Sequence, residues 1–141
     1  MFSNQFLIGS FLITICVVFH VVALLGLSQI LERLSLICNG RLFIKKFSIL
    51  VFSVLFIIAI HSLEIFFWAF TFVQLGEFDN FNTAIYFSTV TSTTLGYGDI
   101  VLSEKAQLLS SFEAMGGLIL FGLSTAFFIR LVSIVFETDQ N

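Results

Sequence analysis

The chain has no proline and very few charged residues. Of its 141 residues only 11% are Asp, Glu, Lys or Arg, whereas a soluble domain has about 25%. None of these four residue types occurs between Met1 and Leu31. A run of that length exceeds the roughly 20 residues that cross a bilayer as a helix. The scarcity of charge therefore excludes a secreted or cytosolic enzyme and predicts a membrane protein.

Cysteine is scarce as well. Cys16 lies in the first apolar run and Cys38 in a basic segment, and two such residues are too few to indicate a disulfide framework. Both are predicted to be free thiols. The N-terminus lacks a basic stretch and a small-residue cleavage site, so we expect the first apolar run to remain as a transmembrane helix within residues 1–31.

Three apolar stretches, roughly residues 6–30, 47–73 and 108–136, are long enough to span a membrane. The linker between the first two, residues 32–46, holds four basic residues against one acid, Glu32. The positive-inside rule makes this linker cytoplasmic. With three spans, the N-terminus is then expected outside, and a short tail at 137–141 is expected in the cytoplasm.

The segment between the second and third spans contains a stretch that a simple loop does not explain. Up to Thr93 it is too short and too rich in hydroxyls to cross a membrane, yet too apolar for an exposed loop. It predicts a re-entrant half-helix, for which Asp79, Asn80 and Asn82 are suitable N-caps. A half-helix that enters from outside points its negative end towards the membrane centre, where it attracts cations.

Residues 93–99 read Thr-Thr-Leu-Gly-Tyr-Gly-Asp. This run resembles the selectivity filter of the tetrameric potassium-channel superfamily, in which backbone carbonyls replace the hydration shell of the ion. The resemblance implies an ion site formed by Thr94, Leu95, Gly96, Tyr97 and Gly98. The K⁺ ligands would be the carbonyls of residues 94–97 together with the Thr94 hydroxyl.

The same resemblance gives roles to the residues around these ligands. Gly96 and Gly98 permit the alternating backbone handedness that aims successive carbonyls at one axis. Tyr97 is expected to point away from that axis and to brace the filter against the half-helix. Asp99 would contribute to a ring of four carboxylates at the outer mouth, and it could also anchor the filter through hydrogen bonds.

The resemblance covers roughly residues 47–136. It is greatest to small prokaryotic pore-only members, which also carry the His-x-x-Glu-Ile-x-x-x-Ala run found here from His61 to Ala69. Leu95 stands where the family usually has Val, and residues 100–102 lack the proline that often follows the Gly-Asp step. The implied pore domain has an outer helix at 47–73, a pore helix and filter at 80–99, and an inner helix at 108–136.

Because one chain supplies one pore loop, the resemblance implies an all-α homotetramer with C4 symmetry. The expected function is passive, potassium-selective conduction across a prokaryotic inner membrane, without catalysis. No cofactor is expected beyond K⁺ as the permeant ion. The expected partners are the lipid bilayer and the other subunits, and no nucleic-acid partner is expected. Three alternatives remain: a non-selective cation channel, a non-conducting auxiliary subunit, and a membrane protein that handles protons or metal ions through His61, Glu64 and Glu113.

For several further polar or small residues, two alternative roles are considered. The pair Gly116 and Gly117 is either a gating hinge or a site of close helix packing. Glu113 is either a carboxylate behind the filter that affects ion occupancy or a structural residue that reaches Thr91 or Ser92.

The second span carries a polar face made of His61, Glu64 and Trp68, at helical spacings i, i+3 and i+7. We expect a hydrogen-bonded pair that docks the outer helix on the pore helix, with proton sensing as an alternative. A metal site would need more ligands, and the only other histidine, His20, stands alone on the first helix and is expected to be a helix–helix contact.

Overall fold

The computed structural model of the chain describes residues 2–37 and 43–137, which form four helices joined by turns and bends. In chain order they are α1 (Phe2–Ile37), α2 (Phe43–Gln74), α3 (Phe81–Ser92) and α4 (Gln107–Glu137). Stretches of α1, α2 and α4 are long and apolar enough to cross a membrane. No strand occurs within the described ranges. The prediction of an all-α membrane protein with three long apolar spans is confirmed.

Two helices extend into the segment predicted as a linker, residues 32–46. α1 continues to Ile37 and α2 already begins at Phe43. The predicted bounds followed the ends of the apolar runs, but Glu, Arg and Lys are good helix formers whose long side chains can reach the membrane surface. The helices therefore continue through charged residues. Residues 38–42 of this linker and 138–141 of the predicted tail lie outside the described part of the chain.

α3 is too short to cross a bilayer. Its 12 residues cover about 18 Å, whereas the hydrocarbon core is about 30 Å thick. The N-cap is Asn80, one of the three candidates, and its side-chain oxygen accepts a hydrogen bond of 2.8 Å from the Asn82 N–H. The helix ends at Ser92, where Thr93 is the C-cap. The sequence signals for a short helix over this segment are thus matched by the structure.

The larger of two apolar clusters joins all four helices. α1 packs against α4, and α3 lies between α2 and α4. The Phe72 ring is fully buried and meets the Phe87 ring edge-on at 5.4 Å between centroids. Cys16 is a buried free thiol within this core, while Cys38 lies outside the described residues. The buried members of the core are Leu12, Cys16, Trp68, Phe72, Phe87, Leu102, Ala106, Leu109, Phe112 and Leu120.

The end of α3 is pressed against α4 at Gly117. A Cβ atom added to Gly117 would overlap the backbone carbonyl of Ser92, whereas Gly122 has open space on its Cβ side. Gly116 is less tightly confined, because the nearest atom to its Cβ position belongs to the Ile13 side chain at 3.3 Å. α4 is continuous through the pair. Close packing of α4 on α3 therefore explains Gly117.

This contact generates a prediction with a matched control. Gly117→Ala should destabilise the fold by about 1–3 kcal/mol, since the new methyl group meets backbone that cannot rotate away. Gly122→Ala should be neutral or slightly stabilising, because alanine is the better helix former and the space is open. Thermal unfolding of the purified variants in detergent measures the difference. Equal unfolding temperatures for the two variants would contradict the packing role.

Candidate functional site

In the backbone after α3, every second residue has a positive φ. Thr94, Gly96 and Gly98 have φ values of 58°, 54° and 75°, while Leu95 and Tyr97 between them have negative φ. Glycine adopts positive φ readily, but for threonine it is uncommon. The alternation extends over the whole run from Thr94 to Gly98. A backbone of this kind can direct successive carbonyls towards one line.

The N–H groups at the start of this run are bonded back to the last turn of α3. The Thr94 N–H donates to Thr91 O at 2.9 Å, and the N–H groups of Leu95 and Gly96 donate to Val90 O at 3.0 and 3.1 Å. No carbonyl oxygen of residues 94–98 accepts a hydrogen bond from another described residue. The first three N–H groups of the run are thus bonded while its carbonyl oxygens are free to accept, which is an arrangement that suits a cation.

The contact between α3 and α4 sets the depth of this run. Gly117, which contacts Ser92, lies ten residues into α4. The candidate span of α4 is 30 residues long, so the contact lies about a third of the way along it. The C-terminal end of α3, with the negative end of its dipole, therefore packs against the interior of that span and not against its end.

Tyr86 of α3 braces the other end of the run. Its hydroxyl donates a hydrogen bond of 2.7 Å to Asp99 Oδ2. This hydrogen bond to a carboxylate raises the pKa of Tyr86 above its ordinary value, because ionisation would break the bond and place two negative charges together. Tyr86 was not predicted as a functional residue, because nothing in the local sequence pattern pairs a helix tyrosine with an acid beyond the next turn. Asp99 has the anchoring hydrogen bond expected for it.

A second brace closes the segment between α2 and α4. Both carboxylate oxygens of Glu77 accept hydrogen bonds from Ser103, one from its N–H and one from its hydroxyl, each at 2.8 Å. These two residues are 26 positions apart, so sequence spacing did not reveal the pair. The contact joins the chain before α3 to the chain before α4, and it fixes the ends of the intervening segment.

The side chains of the run differ from one expectation. Tyr97 is 67% exposed and Leu95 is 55% exposed, so Tyr97 does not brace the run against α3 of its own chain. A groove of about 780 Å³ lies beside the same run, lined by residues that include Tyr86, Gly96 and Ser111. One chain therefore carries both an exposed aromatic ring and a nearby groove.

A buried polar cluster lies where α1, α2 and α4 meet. We call it the three-helix junction; it consists of His20, His61, Glu64 and Ser124, which are all buried. His20 Nδ1 is 2.9 Å from Glu64 Oε1, and His61 Nδ1 is 3.1 Å from Glu64 Oε2. On the other side, Ser124 Oγ is 3.0 Å from His20 Nε2 and 3.1 Å from His61 Nε2. The cluster forms a closed ring of four contacts.

The junction corrects two expectations. The partners of His61 and Glu64 are His20 on α1 and Ser124 on α4, whereas they were expected on the short helix. His20 makes the helix–helix contact expected of it, but it does not stand alone, because it is fully buried in the same group. The reason is that α1 packs across both α2 and α4, an arrangement that spacing along one helix does not reveal. Trp68 lines a small cavity together with His61 and Glu64.

The remaining polar residues lie apart from the junction. Glu113 is almost fully buried and faces Ser88 of α3, without a regular hydrogen bond to either of its oxygens from a described residue. Thr91 and Ser92, its expected partners, are not bonded to it. Thr125 is exposed, and its hydroxyl donates to the carbonyl of Phe121 in its own helix at 2.8 Å.

The fold and the two sites define a small membrane protein in which a short helix and an irregular run are held between long apolar helices. The chain belongs to the ion channel family, because that family's sequence model, described as an ion channel, matches residues 49–133. The resemblance to the potassium-channel superfamily is thereby confirmed at the level of this family. α1 lies outside the matched residues. Neither the curated proteins nor the solved structures contain a significant match.

The brace between Tyr86 and Asp99 predicts a pH-dependent signal. The chain has two tyrosines, so in a Tyr97→Phe background only Tyr86 contributes tyrosinate absorbance. Tyr86 should ionise at a higher pH than an ordinary tyrosine, and Asp99→Asn should lower that pH by removing the charge. The hydrogen bond is complete below the ordinary tyrosine pKa of about 10 and is lost as pH rises through the raised value.

The titration has a matched control in Glu104→Gln, which removes another exposed acid that makes no such bond. This variant should leave the ionisation of Tyr86 unchanged. If Asp99→Asn leaves the pH at which Tyr86 ionises unchanged, the hydrogen bond between Tyr86 and Asp99 does not form in the detergent-solubilised protein.

Proposed function

We propose that the protein is a potassium-selective channel in which four copies of the chain conduct K⁺ passively through residues 94–98. The observation that carries this proposal is the run of alternating handedness with free carbonyls at the end of α3. Backbone at membrane depth is tolerated without internal partners only where it is buried in protein or lines water. Carbonyls that replace the hydration shell of a cation meet that condition.

The proposed K⁺ ligands are the backbone carbonyls of Thr94, Leu95, Gly96 and Tyr97, with the Thr94 hydroxyl at the inner end. The N–H groups of residues 94–96 are held by α3, so they do not compete with the ion for the same carbonyls. The dipole of α3 adds a negative potential at the inner end of the run. Each feature favours a bare cation over an anion.

Exposure supports the assembly of four copies. Leu95 and Tyr97 are more than half exposed in a single chain, although they lie within a membrane protein near the ion path. The groove beside the same run offers a place for a neighbour's side chain. If the exposed ring of one chain enters the groove of the next, the contact is head-to-tail and closes into a ring under cyclic symmetry. In that ring, four Asp99 carboxylates held by Tyr86 would concentrate cations at the outer mouth.

The proposed orientation follows from charge. Arg33, Lys45 and Lys46 lie at the ends of α1 and α2 that face each other across the linker. The positive-inside rule assigns these ends to the cytoplasm. The N-terminus and the Asp99 end of the run are then outside, and we place the protein in a prokaryotic inner membrane.

Ion flux into proteoliposomes tests the proposal. The wild type should pass K⁺ at least tenfold faster than Na⁺. Gly98→Ala should abolish this selectivity or the flux itself, because alanine at positive φ is strained by about 1–2 kcal/mol and there are four copies in one filter. The matched control is Gly76→Ala, since Gly76 has the same φ of 75° and equally open surroundings but lies in the turn after α2. Gly76→Ala should conduct selectively.

Each alternative corresponds to a distinct outcome. Equal K⁺ and Na⁺ flux would identify a non-selective cation channel. Unchanged selective flux in Gly98→Ala would remove residues 94–98 as the filter. Loss of transport in Glu64→Gln with normal transport in Gly98→Ala would favour a protein that handles protons or metal ions at the junction. A purified chain that neither forms tetramers nor passes ions would be an auxiliary subunit.

A further inference from the structure

We propose that the three-helix junction is a binding site for a divalent transition-metal ion of the Zn²⁺ class, held by His20, His61 and Glu64. One ligand atom from each of these residues lies within 4.8 Å of the others. Two imidazoles and one carboxylate form a donor set that Zn²⁺ uses with a fourth position left open. The sequence suggested only two of these ligands, and α1 supplies the third.

The geometry needs little adjustment to receive an ion. The Nδ1 atoms of His20 and His61 lie 2.9 and 3.1 Å from the two oxygens of Glu64. Around a tetrahedral Zn²⁺ with bonds of about 2.0–2.1 Å, ligand atoms are about 3.4 Å apart. Each nitrogen would therefore move away from its carboxylate oxygen by a few tenths of an ångström. The three ligand atoms, which lie within 4.8 Å of one another, would be brought to equal spacing by side-chain rotation.

Space and an unused oxygen adjoin the ligands. Glu64 Oε2 is buried and has no hydrogen bond of regular geometry with a described residue. A cavity of about 20 Å³ is lined by His61, Glu64 and Ser92, among others. A volume of about 10–15 Å³ is enough for one water molecule. This cavity offers a place for a water molecule in the fourth position.

The contacts of both imidazoles with Ser124 are compatible with an ion. The junction contains three hydrogen bonds, one between His20 Nδ1 and Glu64 Oε1 and one from each histidine Nε2 to Ser124 Oγ. An ion between the Nδ1 atoms and the carboxylate would replace the first of these bonds and leave the two with Ser124 in place. Both imidazoles can then carry hydrogen on Nε2 and donate to Ser124 Oγ, which lies 3.0 and 3.1 Å away. Ser124 thus acts as a positioning residue that orients both rings.

The charge at the junction also favours a bound cation. The residues that line its cavity include no Lys or Arg, so the Glu64 carboxylate has no permanent cation there. Its contacts are with two histidines, which carry no permanent charge. A carboxylate without a permanent positive charge beside it is costly at membrane depth, and a bound divalent cation would compensate it. Because His20 belongs to α1, outside the residues matched by the channel family, the ion would fasten this additional helix to the channel domain.

The metal content of the purified full-length chain, measured by mass spectrometry after growth with added Zn²⁺, tests the proposal. The wild type should hold about one Zn²⁺ per chain. Glu64→Gln should hold less than a tenth of that, although glutamine keeps the size and a hydrogen-bonding oxygen. Ser124→Ala should bind about 10–100-fold more weakly, as expected for a residue that orients ligands. The matched control is Gln5→Ala, which removes a different α1–α4 hydrogen bond, to the Leu108 N–H, and should keep full metal content.

Two further measurements separate metal binding from folding. Co²⁺ added to the metal-free wild type should give the visible absorption bands of tetrahedral coordination, and His20→Ala should not. A chelator should lower the unfolding temperature of the wild type and of Gln5→Ala but not that of Glu64→Gln. A folded wild type that takes up no stoichiometric Zn²⁺ and shows no tetrahedral Co²⁺ bands would overturn the proposal, and the junction would then hold a shared proton in place of a metal ion.

Discussion

The absence of water from the membrane core governs how this chain can fold. Every backbone N–H and C=O group there needs a partner, and three long helices supply partners within themselves. The run from Thr94 to Gly98 cannot do so. Its first N–H groups are tied to α3, while its carbonyls accept nothing from the described residues. The proposed function follows from this difference between bonded N–H groups and free carbonyls, since a cation can bind the carbonyl oxygens that have no hydrogen-bond donor.

The contact between Ser92 and Gly117 sets the position of this run along α4. A side chain at position 117 would push α3 away from α4, and the run would move with it. Tyr86 holds the far end through Asp99, and Glu77 ties the segment to the start of α4. The run is therefore fixed at both ends by residues outside it. This arrangement fits an irregular backbone whose own hydrogen bonds are too few to hold its shape.

Local patterns predicted much of the fold from the sequence. The apolar runs indicated three spans, and Asn80 was among the candidate caps of the short helix because its side chain can accept from the next turn. The glycines of the run indicated where positive φ was needed, although Thr94 was not expected to share it. Helix ends were predicted less accurately, because charged residues near a membrane surface continue a helix as readily as apolar ones.

The junction and the braces could not be predicted in the same way. His20 and Glu64 are 44 positions apart, and nothing along either helix specifies which face of α1 meets α2. Two polar residues in separate apolar runs do signal that each needs a partner, and this signal could have linked them. The exposure of Tyr97 depends on how the run packs against the helices, which the local sequence does not describe.

The central claim is that backbone carbonyls of four chains bind dehydrated K⁺ along one axis. Crystals of the protein grown with Tl⁺, a heavy substitute for K⁺, test this claim directly by anomalous scattering. The account predicts a row of anomalous peaks on a fourfold axis, at the level of the carbonyls of residues 94–97. A well-ordered structure with no such peaks, or with residues 94–97 away from any symmetry axis, would contradict it.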